Sequence, residues 1–343
     1  MSDNCGTIIK RTIKKTRKKS NPKTLKISKI YEYEYKKNDK VIGNSNKLDK
    51  LNKIRVPPNY KNVVICENDD KILGYGNDDK NRKQVIYHPD FIKTQQTKKH
   101  KHLLLLGENY EGIINQIYKD FNQTKDIKKR LIALCLILIK RCDFRVSSDR
   151  KLALEYQHFG VVTLQCKHIK FKSNDVIDIE FIGKKGVLNK CVFNDKQVYK
   201  LLKKLKQKCE KDDDFIFKYD DGKYVEAKDI NMYLKQFGNI TTKNFRTWNA
   251  NAHLFDGLIQ YKKNVYQSDL PKLVKETFKN KVINSLIDDV ASKLHNTRAI
   301  CKKEYLNPTL LNILDTNFIG FMDSLNISKN NHDNFYDFLE SKN

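Results

Sequence analysis

A tyrosine set among cations, just ahead of a proline that ends a helix, is the residue of this sequence best suited to covalent chemistry. It lies in Leu294-His295-Asn296-Thr297-Arg298-Ala299-Ile300-Cys301-Lys302-Lys303-Glu304-Tyr305-Leu306-Asn307-Pro308. One tyrosine among 17 proves nothing alone, because a half-buried ring whose hydroxyl finds a partner is the ordinary case. Its company matters: Arg145, Lys184, Arg246 and an imidazole or amide at His295 or Asn296. A phenol with its usual pKa of about 10 is a poor nucleophile, so attack on a phosphodiester needs positive charge beside it. Two planar guanidinium forks can hold the non-bridging oxygens and gain strength as charge builds on pentacoordinate phosphorus. A lysine on a hairpin can give a proton to the leaving 5′ oxygen. Such a set performs phosphoryl transfer to a protein hydroxyl and requires no metal.

The whole chain bounds what these residues can serve. Its 343 residues suit two domains, with length enough for a real core in at least one. Lys and Arg number 67 against 41 Asp and Glu, a net charge of +26 that favours a polyanion, nucleic acid first and an anionic membrane surface less specifically. Heavy use of Lys, Asn and Ile also fits an AT-rich gene. The eight cysteines show no CxxC pair and no histidine at finger spacing, which argues against zinc and against a disulfide framework and suits a reducing compartment. The longest apolar run, Leu131 to Ile139, is far shorter than the about 20 residues a bilayer requires, so a soluble protein is expected.

The elements that must position the candidate residues follow from the pattern. Residues 1–29 carry ten Lys or Arg and one acid with little apolar periodicity, which predicts a disordered basic arm. Residues 30–98 read as a β-rich domain, with strands at Ile30–Tyr35, Asn62–Cys66, Ile72–Tyr75 and Gln84–Tyr87. Within it, Arg55–Tyr60 and Gly74–His88 combine cations, an amide and aromatics. Glutamine can read an adenine edge, and arginine and lysine can hold phosphates. The polar run Thr94–Lys101 marks a linker, and residues 99–343 read as helix-rich. Asp126 to Arg141 is a helix with so wide an apolar face that it must be buried, which places Arg145 just beyond its end. Strands are expected at Val161–Phe171, Val176–Ile182 and Lys190–Phe193, with Lys184 and Lys185 on the turn Gly183–Gly186. Helices are expected at Gln197–Lys206, Ala227–Phe237, Leu270–Leu294, Leu310–Phe321 and Asn334–Leu339, with Thr241 capping the segment of Arg246.

From about Ile54 to Pro308 the chain resembles type IB DNA topoisomerases, particularly the compact viral and bacterial forms. The residues that carry the likeness are Arg55–Pro58, Gly76–His88, Arg145, Gly160–Leu164 with Lys167–Ile169, Phe181–Lys184, Lys235–Gly238, Lys243–Thr247 and the tyrosine segment. The resemblance implies an α+β fold: a small, mostly β N-terminal domain and a larger, mainly helical catalytic domain with a short antiparallel sheet, closing as a clamp around duplex DNA. It implies Tyr305 as nucleophile, Arg145 and Arg246 on the scissile phosphate, and Lys184 as general acid, with Lys185 the alternative. The family's remaining phosphate ligand, nine residues before the tyrosine, is Asn296. His295 is one position off, and choosing Asn296 keeps Thr297, Cys301 and Tyr305 in register. Arg82, Gln84 and Tyr87 match positions that resemble DNA contacts in relatives.

The implied reaction cuts one strand, holds its 3′ phosphate, lets the duplex turn and rejoins, without ATP, metal or other cofactor. A monomer acting on double-stranded DNA without an obligatory protein partner, of large-DNA-virus type, is expected in a virion, host cytoplasm or nucleus. Departures from the family's pattern are Ser147, Asn244, Arg298 and Val85, so no sequence preference is carried over. A tyrosine recombinase typically has histidine three residues before the second arginine, where this chain has Lys243. A non-catalytic DNA-binding clamp would have lost the tyrosine or an arginine.

Overall fold

Alternation of inward and outward side chains builds the N-terminal sheet, and it begins earlier than charge counting suggests. The computed structural model describes residues 7–20, 27–67, 69–147 and 149–342. They fall into two compact units, Met1–Lys98 and Lys99–Asn343. In the first, strands β1 (Thr7–Ser20), β2 (Ile27–Lys37), β3 (Lys40–Val41), β4 (Lys61–Glu67), β5 (Ile72–Asn77) and β6 (Lys83–Tyr87) form an antiparallel sheet in the order β3-β2-β1-β4-β5-β6, with helix α1 (Ser45–Lys53) after β3. The expected disordered arm is corrected here, because its residues 7–20 are β1, paired with both β2 and β4. Ile9 and Arg11 both turn inward. The Arg11 guanidinium lies 4.2 Å from the centre of the Tyr33 ring and donates to the carbonyls of Val56 and Pro57. A charge run that alternates with buried positions can therefore be a strand. Residues 1–6 and 21–26 of that arm lie outside the described residues.

Helix α2 (Pro89–Glu108) contains the polar run read as a linker. Lysine and glutamine are good helix formers, and without glycine or proline their polarity does not interrupt a helix. Thr94 and Thr97 turn their hydroxyls back onto the carbonyls of Asp90 and Lys93.

Helices dominate the second unit: α3 (Tyr110–Gln123), α4 (Ile127–Cys142), α5 (Arg150–Tyr156), α6 (Lys196–Gln207), α7 (Ala227–Leu234), α8 (Thr242–Asn264), α9 (Tyr266–Leu273), α10 (Glu276–Lys293), α11 (Arg298–Glu304), α12 (Pro308–Thr316), α13 (Phe318–Ser324) and α14 (Asn331–Glu340). Strands β7 (Ile169–Phe171), β8 (Val176–Ile182) and β9 (Leu188–Asn194) form a small antiparallel sheet in that order. The fold is α+β. Asp126 caps α4 through the Lys128 and Lys129 amides, and Leu131 and Ala133–Ile139 are all buried, as the wide apolar face requires. Helix α8 is buried along most of its length, with Trp248 fully enclosed in its first half.

Expectations change here too: the helices expected at Leu270–Leu294 and Leu310–Phe321 are each broken in two. Only Ile169–Phe171 of the run Val161–Phe171 is a strand; residues 161–163 and 166–168 are single turns of 3-10 helix. The cysteines also pair, Cys142 with Cys191 and Cys166 with Cys209, and Cys66 is disulfide-bonded as well. Separations of 49 and 43 residues hide partners that the fold makes neighbours. Among the described residues no helix is long and apolar enough to cross a membrane.

Candidate active site

Arg145 sits where the chain leaves buried helix α4. Asp143 takes the left-handed conformation (φ 52°) at its end and Phe144 is fully buried, so Arg145 starts from a fixed base. The carbonyls of Arg145 and Val146 accept from the amides of Val161 and Val162, at 2.9 and 3.0 Å. Gly160 makes this approach possible: a β carbon there would lie 2.6 Å from the Arg145 carbonyl oxygen and 2.7 Å from Ser147 Cβ.

Arg246 lies in the first turns of α8, where Asn244 Oδ1 accepts from the Thr241 amide and hydroxyl and so steadies the helix start. Arg246 is 4% exposed, its Nη2 donates to the Leu294 carbonyl at 3.1 Å, and Nε and Nη1 have no hydrogen-bond partner among the described residues. Two buried donors on a cation, left over by the protein, suit an anion's oxygens.

The segment after α10 brings the remaining groups. The Asn296 amide bonds to the Ala291 carbonyl at 2.8 Å, and its Oδ1 accepts from Arg145 Nη2 at 2.6 Å. Asn296 Nδ2 is buried without a protein partner. The neighbouring His295, at φ 53°, turns elsewhere: its Nε2 is 3.4 Å from the Cys142 carbonyl and its ring lies against Phe144. Burial pushes this imidazole below its usual range, so it is neutral near pH 7. Of the two candidates, only Asn296 touches Arg145.

Tyr305 ends α11 and is 8% exposed, with the Arg246 guanidinium carbon 5.2 Å from its ring centre. Burial by itself would raise the phenol's pKa, but the charges of Arg246 and then Arg145 outweigh it and bring the pKa below the ordinary value. A phenol so placed ionises more readily than a free one. Thus Arg145, Arg246, Asn296 and Tyr305 converge on one spot. Lys184 does not join them through any hydrogen bond or ion pair; it is exposed on the turn between β8 and β9, next to Lys185 (φ 66°) and Gly186 (φ 73°). Among the described residues, no cluster of His, Cys, Asp or Glu could hold a metal ion.

In the first unit, Arg82 and Gln84 are gathered by one carboxylate. Arg82 donates to Asp78 Oδ2 from Nε and Nη2 at 2.9 and 2.6 Å, and Gln84 Nε2 donates to the same oxygen at 3.1 Å. The hydrogen bonds from the Arg82 side chain and amide hold Asp78 down to about 2. Tyr87 is exposed and stacks on Phe91 with ring centres 5.2 Å apart.

The family described as eukaryotic DNA topoisomerase I, catalytic core, matches residues 88–318, which hold Arg145, Lys184, Arg246, Asn296 and Tyr305. The chain belongs to the type IB DNA topoisomerases. It is 28% identical over 312 residues to DNA topoisomerase 1B of Acanthamoeba polyphaga mimivirus, covering 87% of this chain and 88% of that one. It is 25% identical over 219 residues to DNA topoisomerase 1 of Mycosarcoma maydis, and 28% over 190 residues to that of Daucus carota. Those matches take in 57% and 53% of this chain but only 21% and 23% of the fungal and plant proteins.

Sequence reasoning missed two supports of the tyrosine in this topoisomerase. Asn251, fully buried on α8, donates from Nδ2 to the Tyr305 carbonyl at 3.0 Å and accepts at Oδ1 from the Asn307 amide at 2.8 Å. Lys99, inside the supposed linker, donates to the Glu304 carbonyl at 2.9 Å, where a cation suits the negative end of α11. An asparagine between two alanines in a buried helix was the available signal for the first. The second had none, since one lysine in a lysine-rich run looks like any other.

Proposed function

We propose that this topoisomerase relaxes supercoiled duplex DNA by transient cleavage of one strand through a 3′-phosphotyrosine at Tyr305. The observation that carries the reading is the meeting of Arg145, Arg246 and Asn296 at a buried phenol whose pKa the two arginines lower. Tyr305 Oη gives up its proton to solvent and attacks phosphorus, and the bond from phosphorus to the 5′ oxygen breaks. Arg145, Arg246 Nε and Nη1, and Asn296 Nδ2 hold the non-bridging oxygens most tightly in the transition state. Lys184 gives the leaving oxygen its proton, with Lys185 the alternative. Religation is the reverse, and the energy of the phosphodiester is kept in the phosphotyrosine, so neither ATP nor metal enters.

The β-rich unit supplies DNA contacts through Arg82, Gln84 and Tyr87, and the two units close on the duplex as a clamp. The protein works as a monomer without a protein partner. Lys243, three residues before Arg246, favours this reading over a tyrosine recombinase. Supercoiled plasmid incubated with wild type or Tyr305→Phe in EDTA without ATP, then stopped with detergent, tests it. Relaxation by wild type alone, with DNA trapped on protein through a 3′ phosphate, is expected. Binding without relaxation or adduct would leave a non-catalytic clamp or a recombinase lacking its sites.

A further inference from the structure

We propose that Asp143 is a positioning residue that sets the spacing between the Arg145 and Arg246 guanidinium groups by gripping Asn249 and His253 of α8. The inference rests on the roles given above to the two arginines. Asp143 is 3% exposed. Its Oδ1 accepts from Asn249 Nδ2 at 2.8 Å, and its Oδ2 lies 2.7 Å from His253 Nε2. Asn249 Nδ2 reaches the Lys140 carbonyl in the last turn of α4 as well, at 3.0 Å.

Asn249 and His253 follow Arg246 by three and seven positions, so all three share one face of α8. A single rigid helix therefore carries one arginine and, one and two turns along, grips the carboxylate two residues ahead of the other. Only Phe144, fully buried, separates Asp143 from Arg145.

The choice of residue supports a task beyond capping. The left-handed position after a helix is usually glycine or asparagine, and an acid there meets the negative end of the helix dipole. A carboxylate is locally disfavoured twice over, yet both its oxygens are bonded to the helix that holds Arg246. A buried charge-assisted contact is stiffer and more directional than a neutral one.

Single-turnover cleavage at saturating duplex DNA, on Asp143→Ala, Asp143→Asn, His253→Ala, Arg145→Ala and the double variants with Arg145→Ala, tests this. Asp143→Ala should slow cleavage about tenfold to a hundredfold while DNA affinity stays within about twofold, since residues in one network couple on that scale. Asp143→Asn, which keeps the backbone conformation and the Asn249 contact, should recover part of the rate. His253→Ala breaks the contact from the other side at a site with 26% side-chain exposure, and so guards against a variant that fails to fold. Either change made on Arg145→Ala should slow cleavage by less than about threefold further. Full, multiplicative losses in the doubles, with Arg145→Ala itself defective, would overturn this proposal alone. Cleavage by Arg145→Ala at the wild-type rate would overturn the assigned role of Arg145 and this proposal with it.

Discussion

The proposed phosphate-binding centre and the lysine turn are built by opposite rules. Arg246 is enclosed and tied to the Leu294 carbonyl, Asn296 is tied to the Arg145 side chain, and the Arg145 carbonyl is bonded across to residue 161. Lys184 stands exposed on a four-residue turn whose next two residues have positive φ, with no partner for its ammonium among the described residues. The difference follows from the proposed chemistry. Oxygens on phosphorus must be held through both cleavage and religation, which calls for donors fixed before the reaction starts. A proton donor must reach a leaving group that departs and returns, which a jointed turn permits.

Ways to break the comparison run from total loss downward. Tyr305→Phe should abolish covalent adduct and relaxation entirely while gel-shift affinity stays; adduct through another tyrosine would dismantle the centre as drawn. Arg246→Lys should then cost on the order of a hundredfold to a thousandfold in cleavage, because a point charge cannot replace a buried fork. A near-normal rate would mean that charge alone suffices and that the enclosure has no purpose. Lys184→Ala should cost about a hundredfold on an ordinary duplex and almost nothing on a substrate whose 5′ leaving group departs without protonation. Equal losses on both substrates would make the lysine a phosphate ligand and erase the contrast between the two regions.

A pH profile sharpens the same point. Because its folded pKa is lowered, the Tyr305 phenol ionises at lower pH than a free one, and the rising limb of cleavage should lie below that of an ordinary tyrosine. Arg246→Gln removes the larger of the two lowering charges, so that limb should move to higher pH. An unmoved limb would assign it to another group. The smallest effect is expected at Asp78→Ala, which frees Arg82 and Gln84: binding to mixed-sequence DNA should change only by about threefold in either direction. A larger loss would give the first unit a fixed architecture like that of the centre.

The meeting of Arg145, Arg246, Asn296 and Tyr305 could be expected from the sequence because the family resemblance singles out these scarce residue types, and the fold brings them together. Helix α4 and strand β8 were legible because burial on one or both faces imposes a period, and β8 has the bounds the sequence suggested. What periodicity reads poorly is backbone whose partner is not a regular neighbour. Val161 and Val162 look like strand, yet their amides serve the carbonyls of residues 145 and 146. Strand β1 was masked by lysines pointing outward, and the cysteine pairs by their separation along the chain. Asn251 and Asp143 went unread for a related reason: their worth lies in which distant backbone or side chain they meet.

Asn251 has a mechanical consequence. In the proposed reaction a DNA strand hangs from the Tyr305 oxygen while the duplex turns, and any drag on that strand pulls at the protein backbone. Tyr305 and Asn307 lie in the short break between α11 and α12, a weak place to anchor a rope. One buried amide holds the carbonyl on one side of the break and the N–H on the other, and passes the tension into the 23-residue helix α8. The tyrosine can thus be swung by its cargo without being carried away from the arginines that must receive it back.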